Sequence, residues 1–562
     1  MQNVLLPRLL PRNLLPRIFK TVSRTMSTEE RAAIEENFNV ITEGKASILT
    51  PKGEKQDVFY NPIQQFNRDL SVTAIKAWDN LYFNKDTNKT PDLPDSNNEQ
   101  STGDSNAELE NGEPVKKLKR APRGIELLEG LSATGLRSIR FAKEIPSVKK
   151  VVANDLLPAA VASINQNIRY NEVEDNVRAN EASCNMVMYT KKFDVIDLDP
   201  YGTVAPFIDA AVQSVRSGGL LLVTCTDLQV LAGNTYPEKC FALYGGVNLT
   251  NKDATHESAL RLVLGLIKST AAKYGRYVEP LLSLSIDYYV RVFVRVVNKP
   301  ILVKNHMSEM MVGYSCSGCH AITTQAMGKK EERENSKGTM FIKYGLSKSP
   351  PIDENCKFCG SVHHMVGPMY GGPLHNAEFV NEILRINKEE HKDDIYKTRK
   401  RIEGMLTLAA SELPDSPFYF SPNTISSILK LSVPSLSKVS AGLGSMGYTT
   451  SLTHAQPSCL KTDANWDVIW YVLKKFTELE KPDFDYKNCK SLTDKMIGYK
   501  IFANSTIGDS IPQELKDKLS FDKNETSGKI DKLRSLKIVR YQENPSKFWG
   551  PKAKPTGPPG NE

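Results

Sequence analysis

No stretch of the sequence runs for about 18 uninterrupted apolar residues, which removes a membrane-spanning helix from consideration. Acidic residues are missing from the start of the chain, the first being Glu29. Cysteine is sparse, nine in 562 residues. Five of them (Cys184, Cys225, Cys240, Cys459 and Cys489) are scattered, which fits thiols in a reducing compartment such as the mitochondrial matrix or the nucleus. Between Lys85 and Arg123 there is no aromatic residue, and Asn, Asp, Ser, Glu, Pro and Gly dominate. Such a segment cannot bury enough surface to offset its ordering entropy and reads as a disordered insertion. The chain also lacks an evident internal repeat.

What is present describes a large soluble chain. Its length suggests roughly three to four domains, with 25% charged and 40% hydrophobic residues. The net charge of +8 is modest for this length. It permits a nucleic-acid partner without demonstrating one.

The acid-free leader MQNVLLPRLLPRNLLPRIFKTVSRTMS carries four Arg and one Lys among Leu pairs, the pattern of a mitochondrial presequence. Arg8, Arg12 and Arg17 each follow a Pro, which weakens a continuous helix and leaves a disordered basic tail as the alternative. Arg recurs through the apolar part, against a secretory signal. Met26 opens a second start, MSTEERAAIEENF, whose acidic beginning would not target mitochondria. Lys116-Lys117-Leu118-Lys119-Arg120 is a cluster of nuclear-localisation type, with a solvated linker as its bland counterpart. Two starts give two destinations, mitochondrion and nucleus.

From 124 to 297 short apolar runs alternate with helical stretches. IELLE (125–129), VVAND (151–155), FDVIDLD (193–199) and GLLLVTCTD (219–227) read as strands, with GLRSIRFAKEI and PAAVASINQNIRYN as helices between them. This alternation predicts an α/β domain with a parallel sheet. LLSLSIDYYVRVFVRVV (281–297) predicts later antiparallel strands. The boundaries that follow are a presequence and disordered N-terminus at 1–38, a first folded part at 39–84, and the insertion at 85–123. The α/β core occupies 124–297, a Cys-bearing module 298–375, a helical or α+β C-terminal domain 376–535, and a basic extended tail 536–562. Within 376–535, FYFSPNTISSILKLSVPSLSKVSAGLGSMGY suggests two Ser-led helices in a helix-turn-helix-like unit.

The first crossover, LLEGLSATGLRSIRFA, places small residues Ser132, Ala133 and Gly135 where a ligand can approach the sheet. It has no G-x-G-x-x-G, so a pyrophosphate cradle is missing. Asp155 closes the second strand 20 residues after Gly135, placed for ribose hydroxyls. An acidic ribose reader without a cradle suits S-adenosylmethionine better than NAD. DPYG then adds chemistry. Acceptors on the N–H groups of an aromatic exocyclic amine orient its nitrogen and take up positive charge as a methyl arrives. Asp199 and the Pro200 carbonyl are candidate acceptors, and Tyr201 a stacking face. A structural turn is the plain alternative.

Cys316-x-x-Cys319 and Cys356-x-x-Cys359 form two knuckles separated by 36 residues. Four thiolates in this arrangement make a closed, structural zinc site. His320, His363 and His364 lie beside them as poorer substitutes. Lys397, Arg399, Lys400 and Arg401, together with Lys547, Trp549 and Lys552, are candidate RNA contacts or ordinary solvated faces.

FYNPIQQFNRDLS, SATGLRSIRFA, ANDLLP, IDLDPYGT, TCTDL and THESALRL, in that order, resemble the eukaryotic tRNA guanine-26 N2-dimethyltransferases. The resemblance spans about 39–460 and returns in KIVRYQENPSKFWGPKA. It implies a class I, Rossmann-like, S-adenosylmethionine-dependent methyltransferase domain with a zinc-bearing insertion, adding two methyls to a tRNA guanine. By motif, Arg68 and Arg137 contact the cofactor, Asp155 holds its ribose, and Asp199 is the catalytic acceptor. Ser183 and Cys184 fall where the family has an Asp-Ala pair beside the adenine, a departure that removes a charge. Rival readings are an amino-methyltransferase for another nucleobase, or a non-catalytic RNA-binding protein or chaperone on the same fold.

Overall fold

The computed structural model describes residues 26–52, 60–83, 123–250, 253–348 and 352–541. The leader, the basic cluster at 116–120 and the tail residues Lys547, Trp549 and Lys552 lie outside them. The N-terminal expectation needs a correction. Residues 28–37 are not disordered but form a helix, Thr28–Asn37, whose Ser27 and Glu30 make a reciprocal capping box. Arg31 pairs with Glu172 and Glu35 accepts from Tyr170, which fastens the helix to the sheet layer. The hairpin β1 (Phe38–Glu43) and β2 (Ala46–Pro51) follows.

The central sheet uses β3 (Ile125–Glu129), β4 (Val148–Asp155), β5 (Val177–Glu181), β6 (Phe193–Leu198), β7 (Val215–Cys225), β8 (Arg276–Ile286) and β9 (Tyr289–Asn298). Their order is β5-β4-β3-β6-β7-β9-β8. The first five are parallel and β9 and β8 close the sheet antiparallel, as the alternation predicts. Strands buried on both faces need apolar neighbours on both, and β7 supplies them: Leu220 and Leu222 enter one core, Leu221 and Val223 the other. The helices Cys184–Thr190, Ala205–Ser214 and Thr255–Ala272 line the first core. Gln65–Trp78 lines the second together with Ala377–Glu389 and Arg399–Ser411. The sheet layer thus draws residues from both sides of the Cys-bearing module.

That module is a three-stranded sheet of β10 (Met310–Cys316), β11 (Ile322–Ala326) and β14 (His363–Tyr370), in the order β11-β10-β14. A separate exposed hairpin, β12 (Gly328–Glu334) and β13 (Met340–Leu346), interrupts it. The Ser-led helices appear as Pro422–Leu429 and Leu436–Ser445, capped by Ser421 and Ser435. They belong to a third core with Trp470, Leu473 and the four knuckle cysteines.

Strand β8 is a sheet edge, and its outward backbone groups are capped by side chains and loops of the C-terminal half. The Ser283 N–H donates to His375 Nδ1 at 3.5 Å and the Ser285 N–H to His454 Nε2 at 3.1 Å. Asn376 N–H donates to Leu281 O. The other His454 nitrogen, Nδ1, therefore carries the proton and donates to the buried Glu412 at 2.5 Å. Lys461 bridges Glu412 and Glu257, and Arg261 pairs with Glu257, so two carboxylates meet two cations. Edge protection and domain docking are one device here.

An imidazolium cannot accept these N–H groups. Burial pushes His375 below its ordinary value, with Glu412 opposing, and burial likewise lowers the adjacent His256. The folded chain binds those protons more weakly than the unfolded one, so this stability is full above about pH 6.5 and is lost as the pH falls below it. Thermal unfolding at pH 5.5 should therefore start lower than at pH 7.5. His454→Ala, which strands Ser285 N–H and takes one donor from Glu412 while leaving Lys461 beside it, should cost about 2 kcal/mol in urea unfolding. A variant as stable as the parent chain would contradict the joint.

Candidate functional site

Ligands of open α/β sheets bind beyond the carboxyl ends of the strands, where the strand order reverses. Here the reversal lies between β3 and β6, and acids stand at neighbouring strand ends: Glu129, Asp155, Glu181, and Asp199 just past β6. The loop after β3 is shaped for close packing. A Cβ on Gly130 would lie 2.6 Å from Cys184 Sγ and 2.9 Å from a Leu198 methyl. Ala133 takes a positive φ of 49° and its N–H donates to Asp155 Oδ2 at 2.9 Å, while Leu157 N–H donates to Oδ1 at 3.0 Å. Asp155 is thus clamped onto the first crossover.

Asp197 lies at the centre of a buried charge cluster. Arg291 grips both its oxygens, at 2.9 and 3.0 Å, and Arg137 Nη1 donates to it at 3.0 Å. Arg137 continues to Asp199 through Nη2 and stands 3.7 Å from Glu129. Residues 197 and 199 are two apart, so their carboxylates fall on one side and a single guanidinium reaches both. Burial raises Asp197, but Arg291 and Arg137 outweigh it and hold the group below its usual range. Burial pushes Glu129 up to about 7 despite Arg137. Two guanidiniums face three carboxyl groups. That surplus of negative charge suits a cationic ligand such as a sulfonium.

The DPYG turn is anchored to the segment after β7: Gly202 N–H donates to Thr226 Oγ1 at 2.7 Å, and Thr226 N–H to Gly202 O at 2.9 Å. Gly202 has φ of 82°, a conformation that favours glycine. Tyr244, buried, links Thr203 to Asp227, each at 2.8 Å. Pro200 is buried, whereas the Tyr201 ring is 51% exposed and presents a flat face. Burial, with Asp199 and Asp155, pushes the Tyr201 hydroxyl upward, so the ring stays neutral.

The structure brings Arg137, Asp199 and Asp197 together and holds Asp155 beside the same loop. It places Arg68 in a different pairing. Arg68 Nε donates to Glu43 at 2.6 Å and Nη2 to Asn61 O at 3.0 Å, with Arg140 sharing Glu43. Ser183 is exposed at the start of Cys184–Thr190, next to the end of β5, but Cys184 turns its thiol into the core, where burial raises it to about 12.

Sequence reasoning missed Arg291 and Asn67. Arg291 had a signal: a charged residue inside YVRVFVRVV, on a strand flanked by two others, requires a buried partner. Asn67 had none beyond its place before Arg68. The basic cluster at 397–401 is corrected in part. Arg401 is buried, both Asp287 oxygens accept from it at 2.8 Å, and it lies over the Phe66 ring. It ties a helix to the β8–β9 turn and does not face RNA. Lys397 and Lys400 are exposed.

All four knuckle cysteines are buried, with ligand atoms within 4.8 Å of one another. Cys316 Sγ is 3.4 Å from Cys359 Sγ, and Cys319 Sγ 3.6 Å from Cys356 Sγ. Four sulfurs about 2.3 Å from a tetrahedral zinc ion stand about 3.8 Å apart, so the donor set fits zinc. Both knuckles sit in the third core, and Asn504 Nδ2 donates to the Lys357 carbonyl at 2.7 Å.

A family model described as N2,N2-dimethylguanosine tRNA methyltransferase matches residues 35–474. The chain is 56% identical over 536 residues to the mitochondrial tRNA (guanine(26)-N(2))-dimethyltransferase of Saccharomyces cerevisiae, covering 92% of this chain and 93% of that one. It is 42% identical to the Schizosaccharomyces pombe tRNA (guanine(26)-N(2))-dimethyltransferase, covering 96% of each. In fold it is similar to Trm1 from Pyrococcus horikoshii, solved with S-adenosyl-L-methionine. The TM-score is 0.58 at 23% identity, over 77% of this chain and 99% of that one. The chain belongs to the N2,N2-dimethylguanosine tRNA methyltransferase family.

Proposed function

We propose that the chain transfers two methyl groups from S-adenosylmethionine to the exocyclic N2 amine of guanine-26 in tRNA. The observation that carries this reading is a carboxylate, Asp199, 23% exposed beyond β6 and fixed by Arg137 beside the acid-rich strand ends. When bound, S-adenosylmethionine supplies an electrophilic methyl group on a sulfonium. Asp155 would hold its ribose, Arg137 its carboxylate, and Ser183 with Cys184 its adenine edge. Arg137 is where the cofactor side and the acceptor side of the site meet.

Asp199 and the Pro200 carbonyl accept the amine N–H groups and aim the nitrogen lone pair at the methyl. Tyr201 stacks on the base. As the nitrogen gains positive charge, Asp199 stabilises it and takes the released proton. One N–H remains after the first transfer, so the same acceptor serves the second. The four thiolates hold a structural zinc. The region from 376 onward, with exposed Lys397 and Lys400 and the basic tail, holds tRNA. The leader directs protein started at Met1 to mitochondria, and protein started at Met26 serves the nucleus.

Three outcomes follow. Asp199→Ala should lower methyl transfer by at least about 100-fold, read as N2-methylated guanosine by mass spectrometry of tRNA digests, while tRNA binding survives. Retained activity, or methyladenosine as the product, would overturn the reading. Zinc chelation or Cys316→Ser should lower the melting temperature and activity together; a stable, folded, zinc-free chain would contradict a structural metal. Protein translated only from Met26 should lose its mitochondrial fraction on imaging, and an unchanged distribution would sink the two-start account.

A further inference from the structure

Asp199 is held from one side only. Its Oδ2 receives Arg137 Nη2 and, at 3.4 Å, Asn67 Nδ2. Among the described residues nothing donates to Oδ1. With both protein donors on Oδ2, Oδ1 is the oxygen left for an incoming amine.

The orientation of the Asn67 amide is dictated by its neighbours. Nδ2 points at two acceptors, Asp199 Oδ2 and, at 3.2 Å, Gln64 Oε1. Turning the amide over would set its carbonyl against a carboxylate. In the orientation observed, Asn67 Oδ1 is buried without a partner, and the residue is fully buried. An amide that merely filled space would leave this carbonyl stranded for nothing. The helix Gln65–Trp78 is fixed relative to the site one turn later. Ser71 Oγ donates to the Asn67 backbone carbonyl at 2.7 Å and accepts from Arg291 Nη2 at 2.8 Å, and Arg291 grips Asp197. Positions 67 and 71 share one helix face, so the same docking that binds Ser71 to the Asp197 cluster delivers Asn67 to Asp199.

We propose that Asn67 is a positioning residue for the methyl-transfer step. Its N–H pins Asp199 Oδ2 and thereby turns Oδ1 toward the substrate amine. The proposal rests on the reading of Asp199 as the amine acceptor. Asn67 needs no contact with either substrate in this role.

The test is Asn67→Leu, which keeps the branched shape and heavy-atom count and removes the donor, with Asn67→Ser as a second, smaller variant whose hydroxyl is too short to reach Asp199. Steady-state methylation of a tRNA transcript by the full chain should show kcat reduced about tenfold. KM for tRNA and for S-adenosylmethionine should stay within about twofold. A merely structural role would raise KM and lower the melting temperature along with the rate. Wild-type kcat, a KM that rises in step with the loss of kcat, or a tenfold loss of cofactor binding by calorimetry would each overturn the proposal. Asp199→Ala run in parallel separates the two claims. If Asp199→Ala is active, the reading of Asp199 fails; if it is inactive while both Asn67 variants behave as wild type, only the role of Asn67 fails.

Discussion

The Asp197 carboxylate, gripped by Arg291 and Arg137 in a dry interior, is the contact on which the rest of the site depends. An isolated buried charge is severely disfavoured, so neither arginine can leave without stranding the acid. The partners come from distant parts of the chain. Asp197 is on β6, Arg291 on β9, Arg137 on the helix after β3, and Ser71 on the helix Gln65–Trp78. One ion cluster therefore fixes the sheet's switch point and the helix that covers it. Asp199 takes its place as a consequence, two residues along the same strand direction and within reach of the same guanidinium.

The C-terminal half is joined to this layer by two different kinds of contact. Along the β8 edge the joint is polar, with histidine nitrogens accepting backbone N–H groups and Glu412 gathering the protons on the far side. At the knuckles it is apolar, because Cys316, Cys319, Cys356 and Cys359 share a core with Phe420, Ile425 and Trp470. A metal gathering the four sulfurs would also set the shape against which those helices pack, and ligation and docking would then be one folding event.

Much of this was legible in the sequence where the signal is local. Strand β3 lies at 125–129 as the apolar run predicts, β6 ends one residue short of its predicted limit, and both knuckles announce themselves by spacing. Strand β5 went unread because VRANE is short and has little apolar content, its place being fixed by pairing with β4. The capping box at Ser27 and Glu30 was legible but lay inside a stretch read as leader. Arg401 shows the opposite failure: four basic residues at helical spacing say nothing about an aspartate more than a hundred positions away. Asn67 is invisible for the same reason. Its contact with Asp199 exists only once the end of β6 and the helix Gln65–Trp78 meet.

Glu129 shows how this site can favour a cation before any ligand arrives. Burial raises its value to about 7, so the folded chain holds that proton more tightly than the unfolded one. The stability it contributes is full below the ordinary carboxylate value and is lost as the pH climbs through about 7. Near neutrality the fold therefore tolerates an ionised Glu129 at a cost, with Arg137 already shared among three carboxyl groups. A positively charged ligand beside these strand ends would relieve that cost directly. A neutral one would not. The acid surplus at the mouth of β3, β4 and β6 therefore favours a cation, and the DPYG turn beside it leaves Asp199 Oδ1 without a donor among the described residues.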